Sequence, residues 1–133
     1  MKGSYILIVE VKRNTTTRIG KLGMIHFKKG YYAYVGSALN GLEKRIEHHL
    51  RHKKRIHWHI DYLLQKAMIR EVWYKEEGEE CSMANNFSFP SIKNFGCSDC
   101  KCKSHLFYSP SYKKLVNAIR KIGMKKYEIC HSM

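Results

Sequence analysis

The sequence predicts an α/β (α+β) fold: a small antiparallel sheet of three main strands flanked by helices, closed by a Cys-rich loop and a C-terminal helix. Three observations carry this. Apolar runs of strand length, joined by short turns, fill the first 35 residues. Helical periodicity then takes over after a glycine-containing break at 36–41. A 44% hydrophobic fraction over 133 residues supplies a core for one domain, with a main body over 3–90 and an extension over 91–133.

Ser4–Val11 is apolar and β-branched, the pattern of a buried strand. Lys12–Thr17 reads as a polar turn. Arg18–Phe27 alternates loosely around Gly20 and Gly23, as a strand with a bend or bulge does. Lys28-Lys29-Gly30 turns the chain into a third strand, Tyr31–Val35.

Leu42–Arg51 reads as a helix, in which Leu42, Ile46 and Leu50 form one apolar stripe at about 100° per residue. Arg45, His49 and His52 line one edge of that stripe, and Glu43 and Glu47 the other. A second helix spans His57–Ala67 with Ile60, Leu63, Leu64 and Ala67 inward, followed by a strand at Met68–Tyr74. Glu79–Phe87 starts a third helix with carboxylates in its first turn, where they suit the helix dipole. Residues 94–104 form a Gly/Cys/Ser/Asp-rich loop, His105–Tyr108 a short strand, and Ser111–Gly123 a basic helix.

Lys and Arg number 25 against 11 Asp and Glu, a formal net charge of +14 spread along the whole chain. A basic domain this small is expected to meet a polyanion, with nucleic acid ahead of an anionic membrane surface. No apolar run reaches the roughly 18–20 residues of a membrane span. The Met1-Lys2-Gly3-Ser4 start leads straight into a strand-like run, so the expected location is the cytoplasm. Five cysteines, Cys81, Cys97, Cys100, Cys102 and Cys130, are an odd number with three inside six residues. In a reducing compartment that pattern points to metal or thiol chemistry rather than a disulfide framework.

Gly3-Ser4-Tyr5 opens the first strand, and Tyr34-Val35-Gly36 closes the third ahead of the helix bearing Arg45 and His49. The chain resembles the GIY-YIG nuclease superfamily on these residues. It resembles in particular the small stand-alone Uri-type predicted endonucleases, through Gly20-Lys-Leu-Gly23, Gly30–Ala38, Arg45–Leu50, His57–Leu64, Glu80-Cys81 and Phe95–Phe107. The resemblance covers residues 3–108. It implies a three-stranded sheet and metal-dependent endonucleolytic hydrolysis of DNA, with branched or damaged DNA among the candidate substrates. It also implies one Mg²⁺ or Mn²⁺ ion held through Glu80. The family segment usually continues Glu-Cys-Glu-Leu-Ala, where this chain has Glu80-Cys81-Ser82-Met83-Ala84.

The chemistry accords with those residue types. Phosphodiester hydrolysis needs an activated water and a cation for the developing charge. Tyr5 and Tyr34 on neighbouring strands can flank one pocket as base or water positioner. Because a tyrosine ordinarily titrates near 10, a base role needs a cationic neighbour or a metal. Arg45 offers a forked positive charge to a phosphate oxygen, and His49, one turn on, can share a proton with a tyrosine. Lys44, Arg51, Lys53, Lys54 and Arg55 form the adjoining basic surface, and His57 and Trp58 are candidate contacts to phosphate and base. In the plainer alternative Trp58 packs, and Asp61 hydrogen-bonds a neighbouring histidine. Cys81, Cys97, Cys100, Cys102 and His105 have the ligand types of a structural zinc site, although Cys-x-Cys is awkward around one ion; buried reduced cysteines are the alternative. The rival to an enzyme is a non-catalytic basic nucleic-acid-binding module, zinc-stabilised in one version. Charge alone does not distinguish DNA from RNA.

Overall fold

Strand β1, Gly3–Val11, is buried along nearly its whole length, because both of its faces carry apolar side chains. Tyr5, Leu7, Val9 and Val11 point to one side and Ile6 and Ile8 to the other. A strand of that kind belongs in the middle of a sheet with layers on both faces. In the computed structural model, which describes residues 3–38, 41–51, 55–76, 84, 87–97 and 103–128, β1 takes that middle position.

The described residues form an α+β fold with a five-stranded antiparallel sheet, a separate two-stranded sheet and three α-helices. The elements are β1; β2 (Thr15–Arg18), β3 (Met24–Phe27), β4 (Gly30–Ala38), α1 (Leu42–Leu50), α2 (His59–Leu63), β5 (Met68–Glu76), β6 (Leu106–Ser109), α3 (Tyr112–Lys121) and β7 (Lys125–Tyr127). The main sheet runs β6-β4-β1-β5-β7. On one face lie Leu42 and Ile46 of α1, Ile60 and Leu63 of α2, and Phe95. On the other, Leu115, Val116 and Ile119 of α3 cover Ile6, Ile8, Val35 and Trp73. Each such apolar side chain contributes about 1.5–3 kcal/mol on burial.

This corrects the three-stranded expectation. The stretch 18–27 is not a bent strand of the main sheet. It folds back as a hairpin, with Thr15 opposite Phe27 and Arg18 opposite Met24, around a 3-10 turn at Gly20–Leu22. Thr15–Thr17, expected as a turn, is therefore a strand. Buried Ile19 and Phe27 pin the hairpin to the core. The place beside β1 goes to β5, which pairs Tyr5 with Tyr74 and Leu7 with Val72, with a register shift between Ile8 and Val9. The segment 91–133 supplies both edges of the sheet, β6 against β4 and β7 against β5. The second helix is shorter than its periodicity implies. Asp61 accepts hydrogen bonds from the N–H groups of His57 and Trp58, which holds these residues ahead of the first turn, so that the helix begins at His59. The third helix expected over 79–87 falls largely outside the described residues.

Candidate functional site

The β1–β4 register sets Tyr5 opposite Gly36 and Leu7 opposite Tyr34. Tyr5 and Tyr34 therefore share a face as diagonal neighbours, with ring centroids 6.4 Å apart. Gly36 is the condition for this arrangement. A Cβ there would lie 2.4 Å from both the Tyr5 ring and its hydroxyl, so the glycine of the second tripeptide is the space occupied by the tyrosine of the first.

Helix α1 lies over these rings. Its buried positions are Leu42, Ile46 and His49. His49 is thus not on the edge of the helix, as the wheel implied, but buried with Leu42 and Ile46, while Leu50 is half-buried and packs against the same core. The reason is partner chemistry: its ring finds polar groups in the core that a leucine could not use. Tyr5 Oη and His49 Nε2 share a hydrogen bond of 2.7 Å. On the far side of the ring, His49 Nδ1 lies 3.8 Å from Asp61 Oδ1, and His48 Nε2 lies 3.5 Å from Asp61 Oδ2. Asp61 also accepts from the backbone N–H of His57 at 2.8 Å and of Trp58 at 2.9 Å. A chain of polar groups therefore runs from the start of α2 through the core to the first strand.

Electrostatics hold Asp61 ionised. Burial alone would raise its pKa, but the hydrogen bond with His49, those from Trp58 and His57, and the charge of His49 outweigh it. The net effect sets the carboxyl well below its usual range. Arg45 sits one turn before His49. Its Nη1 donates to the Ser37 carbonyl at 3.0 Å, and its guanidinium stacks 4.4 Å from the centre of the Trp58 ring. The same indole lies 5.1 Å from the His48 ring and 5.5 Å from that of His49. Trp58 is thereby a packing residue between Arg45 and the histidines.

The loop before β6 closes the cluster from another side. Phe95 is fully buried, with its ring against Tyr34 and His59. Gly96 has a left-handed backbone (φ 76°), and a Cβ there would come 3.1 Å from His105 and 3.3 Å from the Tyr34 ring. Its N–H donates to His59 Nδ1 at 2.9 Å. Burial lowers the His59 pKa, which favours the neutral ring that can accept this bond. His105 is buried beside Gly96, and its carbonyl accepts from the Val35 N–H at 2.8 Å.

Of the residues singled out in the sequence, Tyr5, Tyr34, Arg45, His49 and Trp58 come together here. Lys44, Arg51, Arg55 and His57 are exposed. Lys53, Lys54, Glu80, Cys81, Cys100 and Cys102 lie outside the described residues. Cys97 is half-buried, with its Sγ 3.6 Å from the Phe95 carbonyl. Asp61, which the sequence offers as a histidine's hydrogen-bond partner in the His57-Trp58-His59 cluster at a helix start, is the hub of the site, and His48 is an addition made by the structure. The available signal was the Asp in His57-Trp-His-Ile-Asp61 after the His48-His49 pair, but separation along the chain does not encode a meeting in space. The cluster is enclosed: Tyr5 is 1% exposed, Tyr34 6%, His49 2% and Asp61 0%. Two surface clefts, one lined by Lys12, Arg13 and Lys66 and the other by Phe87, Phe89 and Lys114, lie elsewhere.

Fold and site together define a small basic α+β domain built around a buried Tyr–His–Asp chain. The chain belongs to the family described as domain of unknown function DUF123, whose model matches residues 4–128. No curated protein and no solved structure matches it significantly.

Proposed function

We propose that this DUF123 chain is a GIY-YIG-type endonuclease that hydrolyses DNA phosphodiester bonds with a divalent ion. The observation that carries the reading is the 2.7 Å hydrogen bond joining Tyr5 to His49, with ionised Asp61 behind the imidazole and Tyr34 beside both rings. Burying a charged carboxylate and an imidazole in the core is costly unless they are mutually satisfied. Such an arrangement suits proton transfer: Asp61 orients the imidazole, and His49 takes the Tyr5 proton as Tyr5 activates water. Arg45, one turn into α1 with its guanidinium against the Ser37 carbonyl, would supply the cation for a nonbridging phosphate oxygen. The net charge of +14 supports binding to a polyanion. A divalent ion is the expected cofactor, with Glu80 its expected ligand.

The burial of Tyr5 and His49 favours one second reading: a non-catalytic nucleic-acid-binding module in which the polar chain is structural. A cleavage assay on linear, flapped and branched DNA, with Mg²⁺ or Mn²⁺ against EDTA, separates the two. Metal-dependent cleavage that is lost in Tyr5→Phe supports the nuclease. Salt-sensitive binding with no cleavage of any substrate leaves the binding module. Affinity that stays flat as salt rises removes both.

A further inference from the structure

We propose that Nε2 of His48, Nδ1 of His49 and the Asp61 carboxylate form a binding site for a borderline divalent metal such as Zn²⁺ or Co²⁺. Its ligands are none of the residues that the sequence offers for Mg²⁺ or for zinc. It depends on the geometry of α1 and α2 and not on the nuclease reading.

Neighbouring residues on a helix diverge by about 100°, so His48 and His49 can serve one centre only if it lies in the angle between them. Asp61 occupies that angle. The three ligand atoms all lie within 4.8 Å of one another, and the two histidine-to-carboxylate distances are 3.5 and 3.8 Å. The two distances run to different carboxylate oxygens; a tetrahedral ion with bonds of about 2.1 Å spaces its ligands about 3.4 Å apart, so inward shifts of up to about 1.4 Å close the set on one oxygen. Imidazole nitrogen with one carboxylate is a donor set for Zn²⁺ or Co²⁺ rather than for Mg²⁺.

The supporting contacts have the form that metal sites use. A ligating histidine engages its second nitrogen with a partner that fixes the ring, and a ligating carboxylate is itself hydrogen-bonded. His49 Nε2 is engaged by Tyr5 Oη, which leaves Nδ1 toward Asp61. Asp61 is held by two backbone N–H groups. The His48 side chain is 22% exposed while its Nε2 is buried, so an ion enters only as that ring swings outward, and three protein ligands leave a position for water. Metal at Nδ1 requires the proton on Nε2, whereas accepting the Tyr5 proton requires Nε2 to be bare. The ion and a Tyr5-to-His49 proton transfer therefore exclude each other at His49.

The test is a Co²⁺ titration of the full chain with Ser at all five cysteines, its cooperative unfolding checked first. The expected result is one ion per chain, visible absorption of tetrahedral type without a thiolate-to-metal band, and a raised Tm. His48→Gln should weaken binding by more than the roughly 10–100-fold typical of a supporting contact; exposed, remote His26→Gln should bind as the parent does. If the cysteine-free chain does not fold, the wild-type chain is titrated with Zn²⁺ while the His48 and His49 ring resonances are followed, and these should shift together. No ion bound, binding unchanged in His48→Gln, or histidine resonances that do not move would overturn the proposal. Each readout is of binding, so a failure here is distinguishable from a failure to cleave DNA.

Discussion

The two faces of the main sheet are packed by different means. Under α3, Ile6 and Ile8 meet Val35, Trp73, Phe107, Leu115 and Ile119, an apolar layer. Its polar groups sit at the rim, where Glu71 accepts from Trp73 Nε1 at 2.9 Å and pairs with the exposed Lys126. Under α1 and α2 the same strand, one residue out of step, presents Tyr5 to His49 and Asp61, and the polar groups occupy the centre. An apolar layer is held by transfer of area from water and tolerates changes that conserve volume. A buried polar chain is stable only while every member keeps its partners, and so it specifies one arrangement. Strand β1 thus separates an apolar face from one that encloses a polar cluster, the face to which the proposed chemistry is assigned.

The comparison can be broken most forcefully on the apolar side. Ile8→Ala should cost about 2–5 kcal/mol in chemical denaturation, with cleavage per folded molecule unchanged. A loss of cleavage at full folding would show that the faces are not independent. On the polar side the pattern should invert. Arg45→Ala should lower cleavage by about 10²–10³-fold, or roughly 3–4 kcal/mol, while leaving the fold and most DNA affinity intact. Near wild-type cleavage would make Arg45 a surface charge tied to Ser37.

Gly36→Ala tests the contact between the tripeptides. It should destabilise by about 1–3 kcal/mol as the added methyl displaces the Tyr5 ring. In a Tyr5→Ala background the same change should cost much less, and a double-mutant cycle measures the coupling. Additive effects would mean that the two residues do not share one space.

The smallest effects are in pH. Asp61 has a folded pKa below its unfolded value of about 3.9. Its stabilisation is therefore complete above about pH 4 and is lost as pH falls through the folded value. Asp61→Asn should flatten that part of the acid-unfolding curve. His59 acts at higher pH. Its folded pKa lies below the usual 6.5, so the unfolded chain takes up the proton first and stability falls as pH drops below about 6.5. Protonation also competes with the bond from Gly96, so amide exchange at Gly96 should quicken over the same interval. Unchanged exchange there would leave His59 as packing alone.

Local pattern by itself determined β1, β4, α1, β5, β6 and α3, because periodicities of two and of 3.6 residues, with glycine at the breaks, are written into consecutive residues. Tyr5, Tyr34, Arg45 and His49 were brought out by a resemblance to a family's ordered motifs, not by periodicity. Pairing was decided only in three dimensions. Nothing within 15–27 says that it leaves the main sheet as a hairpin, and nothing within 68–76 or 125–127 says that these strands complete the sheet beside β1. That choice depends on which residues fill each face once α1, α2 and α3 are docked. The same holds for the site. The helical wheel placed His49 on an edge, but it is buried beside Ile46 with Tyr5 on one side and Asp61 on the other, since a histidine with polar partners on both sides can be buried where one without them cannot. The identity of the polar residues is local information, and their mutual satisfaction is a property of the assembled core.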